Sequence, residues 1–211
     1  MAVVSGVNAG FVTEAPVADP VDANRTMGGT SNSQFLGVKH NTPAGTTKIS
    51  EMGVWIDNST NDMNIDLGIY THNSGDDRPG TLIGHGLFAK GTGTGWKTVA
   101  VDIEVDAETT YWVCSLGNQS NAITTTNGDT DAGPRAINFA TSLTELPASL
   151  ASGSSFSNFA YAIYATAEGE PTGFTRKIKI SGTFQDKPIK TKVAGVFVDK
   201  PIKIKVDGDF Q

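Results

Sequence analysis

The sequence predicts an all-β protein: an antiparallel, jelly-roll-like β-sandwich followed by a C-terminal tandem of short β-hairpins. Three observations lead there. The 211 residues include 24 glycines and many Thr, Ser, Asn and Asp, with few helical runs, the make-up of a chain with many turns. Apolar residues alternate with polar ones in segment after segment, the period of a strand with one buried face. A thirteen-residue repeat then fills the C-terminal stretch and marks an internal duplication.

Taken in order, residues 1–47 have little periodicity, and Ala15-Pro16-Val17-Ala18-Asp19-Pro20 reads as part of an N-terminal extended arm. Residues 48–168 form the expected β-sandwich. Its strands are Ile49 to Ile56, with Met52, Val54 and Ile56 alternating against Trp55, then Met63 to Tyr70, then Leu82 to Phe88. Thr98 to Val105 is the clearest, since Val99, Val101, Ile103 and Val105 alternate strictly with Ala100, Asp102 and Glu104. Thr110 to Leu116 and Phe159 to Ala165 complete the set, and Leu143 to Leu150 predicts one short helical turn limited by Pro147. Strands separated by turn-rich segments suit two sheets that bury each other's apolar rows.

Residues 174–211 carry the repeat. Gly182, Gly195 and Gly208 keep a step of thirteen, as do Phe184, Phe197 and Phe210, and Asp186-Lys187-Pro188-Ile189 returns as Asp199-Lys200-Pro201-Ile202. Glycine supplies the positive φ of a tight hairpin, so Ala194-Gly195 and Asp207-Gly208 read as turns. A three-residue loop from Asp207 to Asp209 would set Phe210 opposite Val206 on the apolar face. Pro188 and Pro201 cannot donate to a ladder and belong between hairpins. A lone hairpin is marginal in water. The repeats therefore need a surface to pack on, and Phe184, Phe197 and Phe210, together with Phe11 in the arm, are the expected assembly contacts.

Charge and cysteine usage bound the function. The net charge is −6, but residues 1–173 carry 7 basic and 18 acidic side chains against 9 and 4 in residues 174–211. An acidic head disfavours nucleic acid, whose phosphates need a basic face. The basic tail suits an acidic protein surface or an anionic glycan, or it simply solvates the outer face of a ladder. A single cysteine, Cys114, excludes an internal disulfide and reads as a buried thiol. No segment predicts membrane insertion. Met1 to Gly6 lacks the charged start and apolar run of a secretion leader, so synthesis in a cytoplasm without the usual export route is expected.

Candidate chemistry is sparse. His40, His72 and His85 are scattered without a third ligand at zinc spacing. Gly91-Thr92-Gly93-Thr94-Gly95 lacks the lysine and helix of a phosphate loop and reads as a connection between strands. Asp57-Asn58-Ser59-Thr60-Asn61-Asp62 and Ser74-Gly75-Asp76-Asp77 are oxygen-rich enough for calcium, though Asn and Asp are also ordinary turn residues. No other cofactor is expected. Among Trp55, Trp96 and Trp112, the last reads as core, while Trp96 follows a glycine loop and is a candidate sugar-stacking platform, with core packing as the alternative. The polar loop that starts at Gly117 would frame such a glycan contact with Asn118 and Arg135.

Gly68-Ile69-Tyr70, Arg78-Pro79-Gly80-Thr81-Leu82, Gly95-Trp96 and Thr110-Tyr111-Trp112 together resemble a module of virion and surface proteins of tailed phages. Ala9-Gly10-Phe11-Val12-Thr13 and Tyr161-Ala162-Ile163-Tyr164 resemble the same group, and the tail resembles Lys-Pro-Val-Lys-Val repeats that end many phage tail and virion proteins. The resemblance implies a non-enzymatic bacteriophage virion protein located on the particle: a capsid decoration, a head fibre or a tail appendage in contact with host-surface glycans. Its partners would be other virion proteins and further copies of itself, most simply in a trimer, with the N-terminal arm as anchor. The alternative is a bacterial carbohydrate-binding or adhesive module.

Overall fold

A computed structural model describes residues 1–22, 24–28, 33–57, 63–118, 124–129, 135–150, 156–169, 176–180, 183–187, 205–206 and 209–210. Among them there is no helix. In chain order the strands are β1 (Gly10–Val12), β2 (Asn24–Gly28), β3 (Ser33–Asn41), β4 (Thr46–Ile56), β5 (Asn64–Asn73), β6 (Arg78–Ala89), β7 (Gly95–Glu104), β8 (Thr110–Gly117), β9 (Thr124–Asp129), β10 (Arg135–Thr141), β11 (Phe156–Asn158), β12 (Ala160–Tyr161) and β13 (Ile163–Gly169). Four more, β14 (Arg176–Ile180), β15 (Thr183–Lys187), β16 (Lys205–Val206) and β17 (Asp209–Phe210), lie in the repeats. The chain divides into two compact units, Met1–Glu168 and Gly169–Gln211.

The first unit is a β-sandwich of two sheets. The smaller runs β1-β13-β4-β7, and the larger runs β12-β9-β2-β3-β8-β5-β6, with β10 and β11 added beside β3. β3 with β8, β4 with β7, and β5 with β6 and β8 pair antiparallel, whereas β1 pairs with β13 in parallel. Alternation explains the register. Met52, Val54 and Ile56 of β4 face Ile65, Leu67 and Ile69 of β5 in one core, all at 0% exposure. Each such side chain contributes about 1.5–3 kcal/mol by leaving water. In β7, Ile103 turns inward while Ala100, Asp102 and Glu104 stay exposed, so alternation and burial agree there.

The outer faces are covered as well. On the larger sheet, Phe35, Tyr70, Trp112, Cys114, Leu116 and Ile137 form a second apolar cluster, closed by Leu146. On the smaller sheet, Trp55 packs with Val3, Ala9, Ala160 and Ala162, and Trp96 lies against them.

Two expectations change here. Residues 1–47 are no extended arm, because they supply β1, β2 and β3 to the sandwich. The segment before β1 folds over the smaller sheet, where Met1 N donates to Asp19 O at 2.8 Å and Val3 N donates to the Asp22 carboxylate. Asn8, fully buried, accepts from Val4 N at 2.6 Å and donates to Ala2 O at 2.9 Å. Leu143 to Leu150 is likewise an extended strap in place of a helical turn. Leu82 N donates to Ala148 O at 2.9 Å and Leu150 N donates to Gly80 O, so its backbone pairs with the edge of β6.

In the second unit β14 pairs with β15 and β16 with β17. Lys179 stands opposite Phe184 and, two repeats further on, Lys205 opposite Phe210, with Val206 opposite Asp209. Phe210 is therefore not opposite Val206, as the three-residue loop would have set it, because Asp209 takes that place. Phe197 and the middle repeat lie outside the described residues.

Candidate ligand cleft

A cleft of about 700 Å³ opens between the two sheets at one end of the first unit. Five strands build it. Thr46, Thr47 and Lys48 open β4, Asp102 and Glu104 end β7, Val105, Asp106 and Ala107 continue from it, and Thr71, Ile83 and Tyr111 come from β5, β6 and β8. Lys48 stands opposite Glu104 in the β4–β7 ladder, which aligns the two walls.

The turn that carries Asp106 is held by side chains. Thr42 Oγ1 donates to Asp106 O at 2.6 Å, and Asp106 N donates to the phenol oxygen of Tyr111 at 3.1 Å. Thr46 Oγ1 donates to Pro43 O at 2.7 Å, which fixes the start of β4. Lys48 Nζ lies 3.5 Å from Asp102 and 3.7 Å from Glu168, as exposed pairs that contribute little to stability. Carboxylate and hydroxyl oxygens thus dominate a rim with one ammonium donor. Such a lining accepts hydrogen bonds from a hydroxyl-rich or cationic ligand and repels an anionic one.

The residues named from sequence lie elsewhere, and the structure does not bring them together. Trp96 is in the smaller sheet opposite Trp55. It is half-buried, edge-on to Trp55 at 5.6 Å and to Tyr164 at 5.3 Å, and its indole N–H donates to Ala18 O at 3.3 Å. The ring is a packing element beneath the N-terminal segment. Asn118 follows β8, where its Oδ1 accepts from Asn64 N at 3.2 Å. Arg135 opens β10 near the other end of the same sheet: Gly117 is level with Gln34 and Ala140, whereas Ala136 is level with Val38 and Val113. At about 3.3 Å per residue this sets Asn118 and Arg135 about 20 Å apart along the strands. Phe11, expected to meet a neighbouring subunit, is 1% exposed inside its own sandwich, stacked on His40 and edge-on to Tyr111.

The groups with reactive potential are bonded into the fold. His40 Nδ1 accepts from Phe11 N at 3.0 Å, and burial lowers its pKa, which keeps the ring neutral. His72 accepts from Trp112 Nε1 at 3.2 Å, and its pKa is lowered by burial and then by Lys39. His85 Nδ1 meets both oxygens of the fully buried Asp66 at 2.8 and 3.0 Å, and Asp66 Oδ2 also accepts from Leu146 N at 2.8 Å. Cys114 is buried, and desolvation raises its thiol pKa well above the ordinary value.

Of the two calcium candidates, residues 58–62 lie outside the described residues. In the other, Asn73 Oδ1 accepts from Gly75 N at 3.0 Å and Asp77 accepts from Lys39 Nζ at 2.7 Å, so these oxygens serve the β5–β6 turn and an ion pair. Among the described residues no group of three or more His, Cys, Asp or Glu side chains is arranged to hold a metal ion.

Sequence reasoning missed the cleft because its lining is gathered from five strands of two sheets. The signal that could have pointed to it is the carboxylate pair Asp102 and Glu104 on one face of β7, which reads equally as an ordinary solvated face. No family model, curated protein or solved structure matches the chain.

Proposed function

We propose that this chain is a non-enzymatic structural protein of a bacteriophage virion, a capsid decoration, head fibre or tail appendage, with a jelly-roll-like sandwich as the displayed body. The observation that carries the reading is the tandem of thirteen-residue Lys-Pro-Ile-Lys repeats, two of which contain paired strands in a compact unit of their own. Such modules vary reach and attachment by repeat number, a task for a structural component. The contacts of His40, His72, His85 and Cys114 support it, since each of these side chains is taken up by packing or hydrogen bonding.

The cleft favours a second reading, a bacterial carbohydrate-binding or adhesive module. Thr46, Thr47, Thr71, Asp102, Glu104 and Asp106 offer the acceptors that a neutral or cationic glycan needs. In a virion protein the same cleft would serve contact with a host-surface glycan.

The test is mass spectrometry of purified phage particles from infected host cells. The virion reading expects this chain at a fixed copy number per particle and retained through density-gradient purification. Its absence from particles, combined with glycan-array binding that Asp102→Asn and Glu104→Gln abolish, would transfer the assignment to the adhesive module.

A further inference from the structure

The two sheets end on the same side of the sandwich in edge strands of opposite character. β7, the edge of the smaller sheet, carries Lys97, Asp102 and Glu104. Charges of this kind are how natural sheets stop their edges from pairing with other chains. β6, the edge of the larger sheet, has no Lys, Arg, Asp or Glu from Pro79 through Ala89. It leaves Thr81, Ile83, His85, Leu87 and Ala89 exposed, with Ile83 at 38% and Leu87 at 42%.

Only part of that edge is covered. The strap reaches β6 at Gly80–Leu82, where Thr81 bridges Ser149. Beyond it, from Ile83 to Ala89, β6 has no backbone partner except β5 among the described residues. The inward face of this stretch is pinned, because a Cβ on Gly84 would meet Ile103 and one on Gly86 would meet Val99 and Val101. From Gly84 onward the edge is therefore held against β7's inner row, with a β-bulge at Ile83 where the register to β5 shifts, while its outer face stays open.

We propose that Ile83–Ala89 is a self-association edge: two copies of this chain pair antiparallel through β6, joining their larger sheets into one continuous sheet. A second copy fits this edge because the run carries no charge that would repel its own copy. A unit carrying 18 acidic and 7 basic side chains over residues 1–173 repels its own kind over most of its surface. Along Ile83–Ala89 self-apposition sets no like charges against each other, whereas pairing β7 with β7 would face Asp102 and Glu104 with copies of themselves. Identical strands pairing antiparallel make an isologous two-fold contact, which closes as a dimer. Pairing centred on Gly86 sets Leu87 of one copy opposite His85 of the other and uses the whole uncovered run. A two-fold contact gives dimers in place of the trimer that the sequence suggests. This inference does not depend on the virion reading.

Sedimentation of the full chain, with amide hydrogen exchange across a concentration series, tests it. The expected result is a dimer at micromolar concentration, with exchange of the Ile83–Ala89 amides slowing as concentration rises. Leu87→Lys should weaken dimerisation at least tenfold, while Thr98→Lys on the exposed face of β7 leaves it unchanged and thermal melts verify that both fold. A chain that stays monomeric, or an oligomer formed with no concentration-dependent protection of Ile83–Ala89, would overturn the proposal. The exchange measurement on unsubstituted protein decides the matter even if Leu87→Lys fails to fold.

Discussion

The sandwich wears two covers, and they are fastened by different chemistry. On the smaller sheet, residues 1–22 are held by the buried rows of Val3 and Ala9 against Trp55, by neutral amides, and by contacts between Met1 N and Asp19 O and between Val3 N and the Asp22 carboxylate. Asn127 ties this cover to β9 by donating to Asp22 O at 2.7 Å. On the larger sheet, the 142–150 strap is fastened by a fully buried carboxylate, Asp66, and by the Tyr70 phenol, which donates to Pro147 O at 2.6 Å. Burial raises the Tyr70 pKa further above its ordinary value, with Cys114 and Asp66 adding to the effect, so the hydroxyl keeps the proton that it donates. A cover held by apolar rows and amides opens only when its sheet gives way. One held by a buried carboxyl group and a phenol depends on a few polar contacts, because a buried group stripped of its partner bears the full desolvation penalty.

The largest expected effect follows from that contrast. Asp66→Ala removes the acceptor of Leu146 N and the partner of His85 and leaves a void beneath the strap. It should lower stability by about 3 kcal/mol in denaturant titration. Asp66→Asn keeps an acceptor oxygen and should recover part of that loss. No measurable change for Asp66→Ala would remove the strap's main fastening from this account.

Trp96→Ala should cost about 2–3 kcal/mol, less than the full range for a buried aromatic because the ring is only half-buried. Cell adsorption measured alongside separates roles: packing under residues 1–22 predicts lower stability and unchanged glycan binding, and the reverse pattern would restore Trp96 as a sugar platform.

Gly10→Ala should cost about 2 kcal/mol, since φ is +70° and the new Cβ would lie 2.8 Å from the His40 ring. A neutral result in thermal melts would mean that the His40 ring moves aside freely.

The smallest effect is a pH dependence. The folded-state pKa of His40 is lowered by burial, so the unfolded chain binds more protons as pH falls below about 6.5. This contribution to stability is present above that value and is lost as pH falls towards the folded pKa. Melting temperature should decline from pH 7 to pH 5, and His40→Gln should flatten the decline. An equal slope in the variant would assign the dependence to other groups.

Legibility in the sequence followed burial on one face or two. β7 was readable because Ile103 is buried while Asp102 and Glu104 are exposed. β3 escaped because Phe35 and Leu36 are both buried, on opposite faces, which erases the period of two. The N-terminal segment was hidden for another reason: its prolines suggested an extended arm, yet the carbonyl of Pro20 accepts from Asn127 at 3.4 Å. The strap looked helical because Leu143, Leu146 and Leu150 have helical spacing, but pairing of its backbone with β6 decided its form. Of the cleft, only the polar character of Asp102 and Glu104 was visible, since convergence of five strands on one volume is a property of topology.

The most direct test of the contrast between the covers is the rate at which Cys114 reacts with a thiol reagent under native conditions. Its thiol lies at 0% exposure in the cluster that Leu146 closes. If the strap opens on its own when its polar fastening is weakened, Asp66→Asn should speed labelling at least tenfold more than its loss of global stability accounts for. Trp96→Ala, which loosens the other cover, should speed labelling only in proportion to global unfolding. Equal proportional effects of the two substitutions would contradict the account, because both covers would then open only with the whole sandwich.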